Sequence, residues 1–132
     1  MIFVDTSFLV AGLNPQDAHH SDAVALKPKL EGRRMVCTNH VVGETWTLTN
    51  RRYGHRAAVA IVNGLRDSAR YEVVHVDERT EADAFAWLAR HDEREYSFVD
   101  ATSFGVMRAR GIDDALAFDR DFEAAGFRTL RA

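Results

Sequence analysis

The sequence predicts an α/β fold: a three-layer sandwich around a mainly parallel central sheet of four to five strands. Three observations predict it. Short apolar stretches without alternation, such as Ile2–Val4 and Met35–Cys37, have the character of strands buried on both faces. One or two helical segments separate most of these stretches from the next, as in a parallel sheet with crossover helices. Two acids, Asp5 and Asp119, stand at expected strand ends, the edge where such sheets carry their functional crevice.

The elements follow in order. "MIFVD" is a strand, and Asp5, Thr6 or Ser7 can cap a helix over residues 7–13 that Asn14-Pro15 closes. A second helix is expected over residues 17–30, kinked or shortened by Pro28, with Gly32 ending that stretch. "RMVCTN" is the second strand, and Thr38 or Asn39 can cap the helix "HVVGETWTLTNRR". In that helix Val41, Val42, Thr45, Leu48 and Thr49 fall on one side, with Trp46 adjacent. Gly54 separates it from the helix "HRAAVAIVNGLRDSA", and "YEVVHV" is the third strand. In the helix "ERTEADAFAWLARHD", Ala82, Phe85, Ala86 and Leu88 are expected inward, with Glu81, Asp83 and Arg90 outward. "SFVDATSFGVMRARG" is a helix closed by Gly111. "DALAFD" is a fourth strand ending at Asp119, "RDFEAAG" a short helix and "FRTLR" a final strand.

The chain has 132 residues, which fits one domain over 1–132, and its 46% hydrophobic and 28% charged residues are an ordinary globular mix. The longest apolar run, "MIFVDTSFLVAGL", is broken at Asp5 and too short to span a bilayer, so a cytoplasmic protein without a membrane partner is expected. The lone Cys37 has no internal disulfide partner and reads as a buried strand residue. A net charge of −3 argues weakly against nucleic acid, yet arginines cluster in "NRRYGHR", where Arg51, Arg52 and Arg56 gather with His55.

Four carboxylates stand out by placement. Asp5 follows "IFV", Glu44 lies one turn into a helix that begins at a strand end, Asp100 lies in the first turn of a helix introduced by Ser97, and Asp119 follows "ALAF". If the strands before Asp5 and Asp119 are neighbours, all four face one cleft. Each acid alone could be a cap or a surface residue; their joint placement at one sheet edge is what suggests chemistry. Clustered carboxylates repel, and a divalent cation relieves that repulsion. An oxygen-rich site suits Mg²⁺ or Mn²⁺, which can set a water against a phosphodiester. The six histidines are scattered without zinc spacing, and no Gly-rich phosphate loop occurs. "FVDTSF" near the start and "FVDATSF" at Phe98–Phe104 look alike because each sets a carboxylate beside the core, with hydroxyls to orient it.

With these motifs in hand, the chain resembles the PIN-domain ribonucleases, and within them the VapC toxins of bacterial toxin–antitoxin pairs. "FVDTSFL", "NHVVGETWTLTNRR", "EYSFVDATSF" and "AFDRDFEAAGF" occur in the family's order and spacing across essentially the whole chain. The resemblance implies a PIN-like fold and an Mg²⁺- or Mn²⁺-dependent endoribonuclease that inhibits translation. It carries over Asp5, Glu44, Asp100 and Asp119 as the catalytic acids. Asp5 and Asp100 are the implied metal ligands, Asp119 is a third candidate, and Thr6 or Ser7 assist. The implied partners are a structured RNA, a VapB-type antitoxin whose carboxyl-terminal segment occupies the groove, and a second copy of the chain. "NHVVGETWTLTNRRYGHRAAV" and "RHDEREYSFVDATSF" are similar to a mycobacterial branch with a member that cuts the sarcin–ricin loop of ribosomal RNA. That leans the target toward ribosomal RNA over tRNA.

In this setting Arg51, Arg52 and Arg56 become candidates for RNA phosphate contacts, against a role at a dimer rim or in solvent. Asp121, an acid the family pattern does not require, is expected to face solvent, and Trp46 and Trp87 to pack in core or interface. The alternatives are a non-catalytic α/β RNA-binding domain, a phosphoreceiver-like signalling domain and a metal-dependent phosphatase. The receiver would want paired acids after the first strand and a lysine after a late one, yet the only lysines are Lys27 and Lys29. The phosphatase would want an aspartate where Ser7 stands.

Overall fold

The computed structural model describes residues 1–132. Its strands are β1 (Ile2–Val4), β2 (Met35–Thr38), β3 (Tyr71–Val74), β4 (Asp114–Leu116) and β5 (Arg128–Thr129). They form one sheet in the order β3-β2-β1-β4-β5, with every pair parallel. The expected four to five mainly parallel strands are thus five, all parallel. β1, β2 and β4 are buried throughout; β1 is apolar along its length, while β2 ends in Thr38 and β4 opens with Asp114, which is paired with Arg33 and Arg128.

The helices are α1 (Thr6–Leu13), α2 (His20–Leu26), α3 (Asn39–Tyr53), α4 (His55–Asp67), α5 (Glu78–Arg90), α6 (Phe98–Arg110) and α7 (Asp121–Ala124). The chain steps outward from β1 to β2 and β3, then returns to β4 on the other side of β1. Right-handed crossovers therefore place α1–α4 on one face and α5–α7 on the other, three layers in all. The reversal between β1 and β4 is a topological switch point, where a crevice opens at the strands' carboxyl ends. Val4 pairs with Leu116 as the last rung, and Asp5 N–H donates to Leu116 O at 3.0 Å just beyond it.

Several expected elements differ. The helix over 17–30 is only α2 followed by a 3-10 turn at Lys27–Leu30, because Pro28 has no N–H for an α-helical turn. Asp17 instead accepts the His19 N–H at 2.9 Å in a tight local turn. The third strand stops at Val74, and Val76 N–H donates to Asn39 Oδ1 while Thr38 caps α3. The fourth strand stops at Leu116 because β1 ends at Val4 and offers no partner farther on. Asp119 therefore lies in a bend three residues past the strand, not at its end.

The buried face of α5 also differs in part: Leu88 turns inward and Asp83 and Arg90 outward as expected, but Ala82, Phe85 and Ala86 are exposed and Glu81 is half-buried. Ala84 is the buried position, flanked by half-buried Thr80, Trp87 and Leu88. Ala82 and Ala86 are exposed, and Phe85 is 61% exposed, stacked on Phe98 at 4.5 Å. Small Ala84 lets α5 approach α6 closely, and Trp87 takes the aromatic contact with Phe104 at 5.4 Å. Trp87 thus packs as expected, and half-buried Trp46 meets the His55 ring edge-on at 5.6 Å.

Candidate metal-dependent nuclease site

Asp5, Asp100 and Asp119 each offer a carboxylate oxygen, and these oxygens all lie within 4.8 Å of one another. The acids come from three elements around the switch point. Asp5 is the N-cap of α1, and its Oδ2 accepts from Ser7 N–H at 3.1 Å and Ser7 Oγ at 2.7 Å. Asp100 sits in a capping box: its Oδ2 accepts from Ser97 N–H at 3.1 Å and its own N–H donates to Ser97 Oγ at 3.0 Å. Asp119 accepts the Asp121 N–H at 3.1 Å. Asp5 thus caps α1 and Asp100 closes the capping box of α6, whereas Asp119 precedes α7 without being its cap; the bonds that cap α1 and α6 also hold their carboxylates in place.

The acids form part of the lining of a cavity of about 320 Å³, together with Thr6, Ser7, Val10, Asp17, His19, Glu44, Leu48, Arg52 and Ser97. Glu44 lines the wall but stands outside the three-carboxylate cluster. Glu44, Leu48 and Arg52 recur every four residues, so one stripe of α3 faces the cavity. All three arginines are exposed; Arg51 lies off that stripe and Arg56 is on α4, and neither lines the cavity. Thr6 turns its hydroxyl toward α3, donating to Val41 O at 3.4 Å and accepting from Thr45 Oγ1 at 3.3 Å, so Ser7 is the hydroxyl that touches an acid. Asp121 does not face open solvent: it is half-buried and paired with Arg94 at 2.9 Å.

Burial and mutual repulsion shape the charges. Burial pushes the Asp5 carboxyl up to about 7, reinforced by the Asp119 charge and opposed by the Ser7 hydrogen bonds. Burial likewise raises Asp100 to about 6, and raises Asp119 with help from Asp121. Without a counter-charge the cluster holds a proton near neutrality. Three hard oxygen donors free of sulfur and imidazole fit Mg²⁺ or Mn²⁺, which bind through one or two carboxylates and keep several waters. Cys37 takes no part: it is fully buried, which pushes its thiol up to about 11.

The sequence reading did not single out Asp17 or His19. Both lie in the stretch expected to be helix, and the Asn14-Pro15 turn was the available signal that the loop runs on to His19.

The PIN domain family model matches residues 2–128. The chain belongs to the PIN domain family. Mycobacterium tuberculosis VapC20, a 23S rRNA-specific endonuclease, is 57% identical over 134 residues, covering 99% of this PIN-domain chain and 98% of that protein. The crystal structure of M. tuberculosis VapC20, a sarcin–ricin loop cleaving toxin, matches at a TM-score of 0.94 and 55% identity over 100% of both chains. FitAcB from Neisseria gonorrhoeae and DNA-bound VapBC from Salmonella typhimurium share the PIN fold, each at a TM-score of 0.68 over 98% of this chain and 96% of theirs. Their identities are 18% and 20%.

Proposed function

We propose that this PIN domain, one domain over 1–132, is the toxin of a VapBC-type pair. Its activity is that of a divalent-cation-dependent endoribonuclease that cuts the sarcin–ricin loop of 23S rRNA and so stops translation. The carrying observation is the convergence of Asp5, Asp100 and Asp119 within 4.8 Å on a cavity at the sheet's switch point. The likeness to VapC20 over the whole chain supports the choice of RNA. The partners that follow are a VapB-type antitoxin and a second copy of the chain, with the cytoplasm as the site of action.

In this reading Asp5, Asp100 and Asp119 hold Mg²⁺ or Mn²⁺. A bound ion supplies positive charge to the scissile phosphate and activates a water for attack on phosphorus. Ser7 and Ser97 fix the rotamers of Asp5 and Asp100, so little reorganisation is needed when RNA arrives. Glu44, on the wall, aims a fourth carboxylate at the same space. Arg52, two turns farther along the stripe, meets a backbone phosphate and offsets repulsion between RNA and the acids.

The test is cleavage of a sarcin–ricin stem–loop RNA with Mn²⁺, and sequencing of new RNA 5′ ends after expression in cells. Cutting by the native protein and none by Asp5→Asn is expected. Cutting with Mn²⁺ chelated, or none of any RNA, overturns the reading.

A further inference from the structure

We propose that His19, stacked on Phe118, is a platform on which a base of the RNA beside the cut phosphate stacks. This rests on the endoribonuclease reading and adds a substrate contact to it. The His19 and Phe118 rings lie 4.7 Å apart with planes within 6° of parallel. Phe8 lies behind Phe118 at 5.9 Å and 29°. The three rings make a pile whose inner end is buried Phe8 and whose outer end is exposed His19.

The pile is tied to the acids. Phe118 precedes Asp119, and its N–H donates to Ser7 Oγ at 3.0 Å, the same hydroxyl that donates to Asp5. The loop carrying His19 is pinned by the His19 N–H on Asp17 Oδ1 and by His20 Nδ1, 2.8 Å from Ala11 O. One face of the imidazole is covered in parallel by Phe118, which leaves the other face for a ligand. His19 is also the one ring among the residues lining the acidic cavity.

RNA cut in a loop presents unstacked bases, and proteins take these up on aromatic faces. With the phosphate at the acids and a neighbouring one at Arg52, the base of the nucleotide at the cut has this ring to stack on. Alanine replacement of a base-stacking ring costs on the order of tenfold in affinity.

The experiment uses the sarcin–ricin stem–loop RNA with Mn²⁺. His19→Ala should lower kcat/KM about tenfold, and His19→Phe should restore most of it. Abasic nucleotides are then placed in turn on either side of the cut. At one position the abasic RNA should make native protein and His19→Ala equal, because the two changes delete one contact. Additive losses at every position overturn the platform. So does unchanged cleavage by His19→Ala, even where that variant weakens antitoxin binding, which would make the ring a protein contact. If the native protein cuts no RNA, the endoribonuclease reading falls, and binding decides the platform separately. With 2-aminopurine beside the expected cut and the Asp5→Asn protein, quenching that His19→Ala abolishes supports stacking. Quenching that persists, or never occurs, overturns it.

Discussion

Ser7 Oγ donates to Asp5 Oδ2 at 2.7 Å. The same oxygen accepts the Phe118 N–H at 3.0 Å, so one hydroxyl binds the acid after β1 to the loop after β4. Removing it has two consequences of known sign. The Phe118 N–H loses its partner, costing about 1–3 kcal/mol of stability. Asp5 loses a bond that favours its charged form, so its carboxyl rises further above about 7. Ser7→Ala should therefore fold, melt lower, and need a higher pH for half-maximal Mn²⁺-dependent cleavage. An unmoved pH midpoint would remove Ser7 from the acid's control.

The raised acids predict how stability depends on pH when no divalent cation is bound. Asp5 and Asp100 keep their protons to about 7 and about 6 in the fold, against 3.8 for an ordinary aspartate. Between about pH 4 and 7 the folded chain binds more protons than the unfolded one, so stability falls as pH rises through that window. Ion-paired Asp114, held low by Arg128 and Arg33, has the opposite sign: its contribution is lost as pH falls below the ordinary aspartate range. Asp5→Asn should then melt higher than the native chain at pH 8, with the gap closing toward pH 4. Each unit of raised pKa is about 1.4 kcal/mol. Parallel melting curves across the series, measured in chelator, would show that Asp5 is not strained by its neighbours.

Mn²⁺ should reverse that penalty. Saturation at about 100 times Kd adds roughly 2.7 kcal/mol to the native state. The gain in melting temperature should be large at pH 8 and small at pH 5, because protons compete for the same oxygens. Asp100→Asn should blunt it. A gain that is equal at both pH values would place the ion elsewhere.

How far the sequence carried is clear from particular residues. Asp5 and Asp100 were legible because each stands at a helix start that accepts an acid; Asp119 was expected at a strand end and lies three residues past it, and the adjacency of β1 and β4 brings the three together. The register of α5 was not, because Ala84 is buried for its small size while Phe85 is left out to stack on Phe98. Periodicity weighs apolar size; helix packing at close approach does not. His19 was hidden in a stretch whose composition suits a helix, and the Asp17 turn and the His20 contact with Ala11 O hold the loop that sets its ring against Phe118.

The two similar phrases part company at their last residue. Phe104 is fully buried and meets Trp87, Tyr96, Phe122 and Phe127 at centroid distances of 5.4, 5.8, 5.0 and 5.4 Å. Phe8 is 8% exposed and joins the pile under His19. Phe104→Ala should cost about 3–5 kcal/mol in denaturant unfolding. Phe8→Ala should cost less and also lower cleavage of the stem–loop. Equal stability losses would mean that Phe104 is not the centre of its layer.

The arginines of "NRRYGHR" divide by their place around the acidic cavity. Arg52, itself exposed, follows Glu44 and Leu48 on the stripe of α3 that lines the acidic cavity, while exposed Arg51 lies off that stripe and exposed Arg56 lies on α4 outside the lining. A cation inside the cavity wall meets the phosphates nearest the cut; one outside meets RNA only if the duplex wraps that far. Each lost phosphate contact should flatten the log–log salt dependence of binding by about 0.7–0.9. In an Asp100→Asn background that does not cut, Arg52→Ala should lower the slope by about one contact and weaken binding of the stem–loop. Arg51→Ala and Arg56→Ala should each do less, and their sum tells whether they help to dock the flanking helix. If Arg52→Ala leaves the slope unchanged while the other two lower it, the RNA approaches over the end of α3 and not along its stripe.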